Sequence, residues 1–315
     1  MFAICVESSH ERGMGHLFRQ LNFAALLAEK GERFVFLLND DAAALRILAA
    51  RSIPCETVNL SDFTSGWERK LSEKYGVTVW VDDRLDTDIR HARHVKDGQA
   101  SLVVFDDGGS GAQLADLNFS ALCFEAPRRL GGCRVFTGTD YLILSREIDR
   151  YKRPRNDAAR ILVTMGGSDS YGVTVKVVEI LKAAGLSATV IAGPSFRNGS
   201  ELEAAAGGLF RIKYAVESLI AEFSGHDLAV TGGGVTPFEA NASGLPCVII
   251  ANELFEIPGA RYLEALGSSA FAGHHEKIDA HKLTGFHDIS AMSRAGLAAL
   301  NTGAAEKIYN LITNV

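Results

Sequence analysis

A chain of 315 residues with a net charge of −6 has room for one large or two medium domains and buries a core without disulfide staples. Its 47% apolar and 22% charged residues are those of an ordinary globular protein, and the acidic balance argues against nucleic acid or a membrane surface as partner, since both need basic patches. Five scattered cysteines make no close metal-like pair, no apolar run reaches the length of a membrane span, and the N-terminus enters Phe2–Val6 directly without a secretory signal, so a cytoplasmic monomer is expected.

Strands and helices alternate along the chain. Phe2–Val6 reads as a first strand, His16–Ala28 as a helix, Phe34–Leu38 as a second strand and Ala42–Ala50 as a second helix. Thr57-Val58 is a weak strand, Trp67–Lys74 a helix, and Val77–Val81 a strand ending at Asp82-Asp83. A short polar helix, Asp88–Asp97, leads to strand Leu102–Phe105, which ends at Asp106-Asp107. Leu122-Cys123-Phe124 is one further strand, and Thr137–Leu144 closes the half. Arg146–Arg160, rich in charge, reads as a solvated linker.

The alternation restarts at strand Ile161–Thr164. Helix Val173–Ala184, strand Ala188–Ala192, helix Ser200–Ala206, weak strand Phe210–Tyr214, helix Val216–Phe223 and strand Leu228–Val230 follow. Strand Cys247–Ala251 and helix Pro258–Leu266 come next, and two tail helices run over Ile289–Leu300 and Ala304–Thr313. This is an α/β pattern of two Rossmann-like, doubly wound domains, 1–148 and 149–315, with the last helix packing back on the first. Ligands of such sheets bind at the carboxyl ends of strands, so the cleft between the two domains is the expected site.

Three glycine turns stand at strand-to-helix junctions. Gly232-Gly233-Gly234-Val235-Thr236 follows strand Leu228–Val230, and its backbone amides and the helix dipole behind them suit a phosphate. Thr236 adds a hydroxyl, and Glu239, on the first helical turn, is placed to accept from sugar hydroxyls. Met165-Gly166-Gly167-Ser168-Asp169 follows strand Ile161–Thr164 in the same way, although Ser168 or Asp169 equally suits a helix cap. Gly13-Met14-Gly15-His16 sets an imidazole at a helix start, where the neutral form that takes a proton from water or a hydroxyl is favoured. Asn252 and Glu253 end strand Cys247–Ala251 as a substrate contact or as a self-satisfied loop. The pairs Asp82-Asp83 and Asp106-Asp107 have neighbours pointing to opposite faces, which disfavours chelation. His91-x-x-His94 and His274-His275 read as surface residues.

Taken in order, Gly13-x-Gly15-His16-x-x-Arg19, Phe105-Asp106-Asp107, Gly138-x-x-Tyr141-x-x-Leu144, Met165-Gly166-Gly167-Ser168-Asp169 and Gly233-Gly234-x-Thr236-x-x-Glu239 with Gly244-Leu245-Pro246 resemble the UDP-sugar hydrolase of pseudaminic acid biosynthesis and its spore-coat-polysaccharide relatives, of the GT-B superfamily. The resemblance spans nearly the whole chain. It implies a UDP-sugar substrate cleaved with inversion, His16 as the base that activates water, the Gly166-Gly167-Ser168 and Gly233–Thr236 turns (with Gly15 and Val235) on the diphosphate and nucleoside, Glu239 on the ribose, and no metal or other cofactor. Arg19, on the motif, and Glu7, Asp82, Asn252 and Glu253, which fall where the family lines the sugar side, are the candidates to bind the sugar. Three of those segments depart from the pattern: Glu7-Ser8-Ser9 replaces Asp-x-Ser, Asp82-Asp83-Arg84 replaces Asp-His-Tyr, and Asn252-Glu253 replaces Asn-Gln. The alternative on the same scaffold is a glycosyltransferase, whose base deprotonates an acceptor hydroxyl instead of water.

Overall fold

The computed structural model describes residues 1–8, 14–122, 124, 130–167, 169–214, 216–285 and 287–314. They divide into two units, Met1–Leu144 with Gly303–Val315, and Ser145–Thr302.

In the first unit, strands β1 (Phe2–Val6), β2 (Phe34–Leu38), β3 (Cys55–Thr57), β4 (Val79–Asp83), β5 (Ser101–Phe105), β6 (Leu117–Ser120) and β7 (Arg134–Thr137) form one sheet in the order β3-β2-β1-β4-β5-β6-β7. Every pairing is parallel. The central strands are buried on both faces, which is why they read as unbroken apolar runs. One face packs Ile4, Phe36, Val81 and Val103 under α1 (Gly15–Glu29), together with Ile308 and Ile312 of the last helix, Ala304–Thr313. The other packs Ala3, Cys5, Val35, Trp80 and Leu102 under α3 (Trp67–Tyr75) and α4 (Ile89–Asp97); α2 (Ala42–Ala50) lies between β2 and β3 in the chain.

The second unit repeats the plan. Strands β8 (Ile161–Thr164), β9 (Ala188–Ala192), β10 (Arg211–Tyr214), β11 (Leu228–Gly232), β12 (Cys247–Ala251), β13 (Ser269–His274) and β14 (Lys277–Ile278) take the order β10-β9-β8-β11-β12-β13-β14. Among the described residues only β14 pairs antiparallel. Helices α5 (Ile148–Tyr151), α6 (Val173–Ala183), α7 (Gly199–Ala206), α8 (Leu219–Phe223), α9 (Thr236–Ala242), α10 (Ile257–Ala265), α11 (Ala280–Thr284) and α12 (Ile289–Ala299) complete it. In each sheet the winding direction reverses once, between β1 and β4 and between β8 and β11. Ligands of open parallel sheets bind outside the strand ends at such a reversal.

Three sequence expectations are corrected. The strand placed at Leu122–Phe124 is instead Leu117–Ser120; Cys123 itself lies outside the described residues, and the next strand is Arg134–Thr137. The segment 146–160 is not a solvated linker. It contains α5, and Arg155, only 1% exposed, donates to the carbonyl oxygens of Phe223, His226 and Ser243, which lie at or just past the ends of α8 and α9. Those end carbonyls lack helical partners, so a buried guanidinium satisfies several at once.

His91 is likewise no surface residue. It is fully buried under Trp80 and Trp67, and its two ring nitrogens reach Glu68 and Asp82, each at 3.0 Å. Burial alone would discharge the ring. The Asp82 carboxylate overcomes it, and the Glu68 bond adds to the effect, so the imidazolium persists up to about 9. His94 shares the same Glu68, with the imidazole nitrogen 3.1 Å from its carboxylate.

Candidate functional site

At the reversal of the first sheet, β4 ends on Asp83, paired in register with Val6 of β1. The chain leaving β1 returns as α1, whose first turns carry His16, Arg19 and Gln20. The i, i+3, i+4 spacing puts these three on one helix face, and all three converge on Asp83. His16 Nδ1 lies 2.6 Å from Asp83 Oδ1; Arg19 donates from Nη2 to Oδ1 at 2.6 Å and from Nε to Oδ2 at 2.8 Å; Gln20 Nε2 donates to Oδ2 at 2.8 Å. Arg19 Nη1 also reaches Asp106, which follows β5 in a left-handed conformation (φ 51°) and accepts from Ser120 Oγ at 2.8 Å.

Asp83 is fully buried, while the His16 side chain keeps 19% of its surface exposed. Burial pushes the Asp83 carboxyl up, but the Arg19 guanidinium and the His16 ring outweigh it and hold the group well below the usual carboxylate range. An ionised carboxylate only accepts. His16 Nδ1 therefore carries a proton, and in the neutral ring the lone pair is on Nε2. Arg19 Nη2, 3.2 Å from Nδ1, is a second donor sharing the same oxygen. The arrangement is a base held in one tautomer by a buried acid, as in other His–carboxylate pairs.

The sequence placed Asp82 on the sugar side; the carboxylate that meets His16 is its neighbour, Asp83. Asp82 points to the opposite sheet face, where it accepts from Trp80 Nε1 at 3.1 Å and from His91 Nε2. It does not join His16. Arg19 does, as a brace between two carboxylates. Glu7, just past β1, bears electrostatically on Arg84, whose Nη2 donates to Leu60 O. Gly15 opens α1; Gly13 lies outside the described residues. The helical spacing of His16, Arg19 and Gln20 was a readable signal for the network; its acceptor was not.

At the reversal of the second sheet, two glycine turns leave the ends of β8 and β11. Gly166 adopts φ +83°, which a residue with a side chain rarely takes, and Gly167 is exposed; Ser168 lies outside the described residues. Asp169 fills the capping role: its oxygens accept the Val173 and Thr174 amides, each at 2.8 Å, at the start of α6. The second turn brings Gly233 and Gly234 to the start of α9, with Val235 exposed, Thr236 opening the helix and Glu239 on its first turn. Burial, with Glu147's charge behind it, pushes the Glu239 carboxyl up to about 7.

Beside this turn, Asn252 and Glu253 follow the end of β12. The Asn252 side-chain nitrogen fits so closely against Gly232 that a Cβ there would stand 2.8 Å from it, and Asn252 Oδ1 is buried with no hydrogen-bond partner among the described residues. Glu253 accepts from the Tyr171 hydroxyl at 2.7 Å, and Tyr171 stacks on His275. Among the described residues no three His, Cys, Asp or Glu side chains converge as a metal-ligand set.

MurG of Acinetobacter baumannii superposes with a TM-score of 0.72 at 14% identity, covering 100% of this chain and 99% of that one. Anabaena Alr3699/HepE, solved in complex with UDP and glucose, superposes at 0.65 with 12% identity over 100% of both chains. The fold is GT-B. No family model matches the chain. Two curated proteins are similar in sequence. The uncharacterized protein MJ1062 of Methanocaldococcus jannaschii is 26% identical over 277 residues, 80% of this chain. The spore coat polysaccharide biosynthesis protein SpsG of Bacillus subtilis is 20% identical over 289 residues, 87% of this chain and 84% of its own. The chain spans only 56% of the archaeal protein's length. Among the described residues no helix is long and apolar enough to cross a membrane. Within the GT-B plan, both polar clusters stand at a sheet reversal, one per unit.

Proposed function

We propose that this GT-B chain is an inverting UDP-sugar hydrolase. The observation that carries the reading is the His16–Asp83 pair, a partly exposed imidazole whose Nδ1 is tied to a buried, ionised carboxylate. In the proposed step His16 Nε2 takes a proton from water as the water oxygen bonds to the anomeric carbon. The bond from that carbon to the β-phosphate oxygen breaks, and its electron pair leaves with UDP. The turns at Gly166-Gly167 and Gly233–Thr236 (Ser168 included) hold the diphosphate through main-chain amides, with Gly15 and Val235 beside the ligand, and Glu239 meets the ribose. HepE, a protein of the same fold, was solved with UDP bound, which supports a uridine nucleotide as ligand. The sugar we assign is an amino or deoxy sugar of the kind cleaved in pseudaminic acid biosynthesis, and the departures at Glu7, Asp83-Arg84 and Glu253 fall on the side of the pattern that meets it.

Glycosyl transfer is the second reading, favoured by the likeness to SpsG, a protein named for polysaccharide biosynthesis. It uses the same base on an acceptor hydroxyl. A panel of UDP-sugars incubated with and without candidate acceptors separates the two. Release of UDP together with free sugar in the absence of acceptor supports hydrolysis, whereas UDP release that requires an acceptor supports transfer.

A further inference from the structure

The glycine corner after β11 already holds an anion of the chain's own. Glu256 closes the short turn Leu254–Glu256 that follows β12, and its side chain reaches back to Gly233. Its Oε2 accepts the Asn252 amide at 2.7 Å and the Glu253 amide at 3.3 Å, and the Gly233 amide donates to the same carboxylate. A Cβ on Gly233 would stand 2.7 Å from Glu256 Cβ and 3.0 Å from Oε2, so only glycine lets the carboxylate in. An oxyanion gathering main-chain N–H groups from two loops does what a phosphate oxygen does at such a corner.

A reciprocal cap with Glu253 accounts for part of this arrangement. It accounts for neither the Asn252 amide nor that of Gly233, which belongs to a different loop. Asp169 offers the contrast at the other turn, because its two amide partners both belong to the helix it caps.

We propose that Glu256 competes with the ligand's diphosphate for the Gly233 corner, so that a nucleoside diphosphate binds only by displacing it. The proposal rests on the nucleotide-binding reading above. It makes Glu256 a brake on affinity, one that lets UDP leave readily after the sugar has been released.

The test is isothermal titration calorimetry of UDP and of uridine against the full chain, its Glu256→Gln variant and its Glu256→Ala variant. Gln removes the charge and keeps the shape; Ala frees the amides. Both variants should bind UDP at least about tenfold more tightly, the effect of sparing the ligand one competing charge-assisted hydrogen bond, and uridine binding should not move. If the variants melt lower yet bind UDP as the wild type does, or bind it more weakly, Glu256 is a structural cap or a ligand contact and this inference fails while the UDP-sugar reading stands. If neither the wild type nor the variants bind UDP, both fall together.

Discussion

In the proposed hydrolase, Asp83 and His16 act as one unit. Replacing Asp83 by Asn keeps the shape but offers Nδ1 a donor as readily as an acceptor, so the ring loses its fixed tautomer. We expect Asp83→Asn and His16→Ala each to lower kcat for UDP release by about 10²- to 10⁴-fold, with UDP affinity nearly unchanged. The double variant should fall no further than the worse single one, since residues acting as a unit are not additive. A steady-state kinetic series reads both points, and additive losses would separate the two side chains. Glu239 gives a second residue-scale prediction. Its carboxyl is raised by burial from an ordinary 4.5 to about 7. The folded state thus holds that proton more tightly than the unfolded one. The stability this contributes is fully present below about pH 4.5 and is lost as pH rises through about 7. Melting temperatures from pH 4 to 8 should fall less steeply for Glu239→Gln than for the wild type across that window.

At the scale of elements, β4 shows what alternation conveys and what it withholds. Successive strand residues face opposite ways, so Asp82-Asp83 had to divide between two environments. Which carboxylate met His16 depended on the side of the sheet α1 covered, and a single sequence does not carry that. The helix face bearing His16, Arg19 and Gln20 was legible from spacing; the buried acceptor beneath it was a tertiary fact. Helix α4 misled for a related reason. Its polar composition reads as solvated, yet His91 faces inward because Glu68 of α3 and Asp82 of β4 wait there with opposite charge. Removing the ring takes the cation from between two buried carboxylates. His91→Ala should therefore cost about 3–5 kcal/mol of unfolding free energy, measured by urea denaturation, while UDP affinity stays as it was. A loss below about 1 kcal/mol, the range of an exposed pair, would mean the cluster is solvated after all. Arg155 escaped notice in the same way: a charged stretch looks like linker until the carbonyl ends of α8 and α9 are known to converge on it.

For the whole molecule, the periodic signals were the strongest. Both parallel sheets were readable because strands buried on two faces must be continuously apolar, and because each is separated from the next by a helix. The edges were not. β6 alternates Leu117-Asn118-Phe119-Ser120, and β13 is built largely of small residues, so neither resembles the central runs. The glycine turns were legible as turns, but the carboxylate of Glu256 inside one of them was not, since it arrives from the next strand's loop. A ligand that binds only the folded GT-B chain must raise its melting temperature; at a hundred times the dissociation constant the gain is about 2.7 kcal/mol. UDP should give that shift in a thermal-melt panel, and GDP and CDP should not. A shift common to all three would assign recognition to the phosphates alone.

The most direct measurement pairs binding with turnover in one variant. His16→Ala is titrated with UDP and then incubated, beside the wild type, with UDP-sugars and no acceptor. The account predicts that both proteins bind UDP with similar affinity, that the wild type releases UDP and free sugar, and that the variant releases neither. UDP release from His16→Ala at the wild-type rate would contradict it.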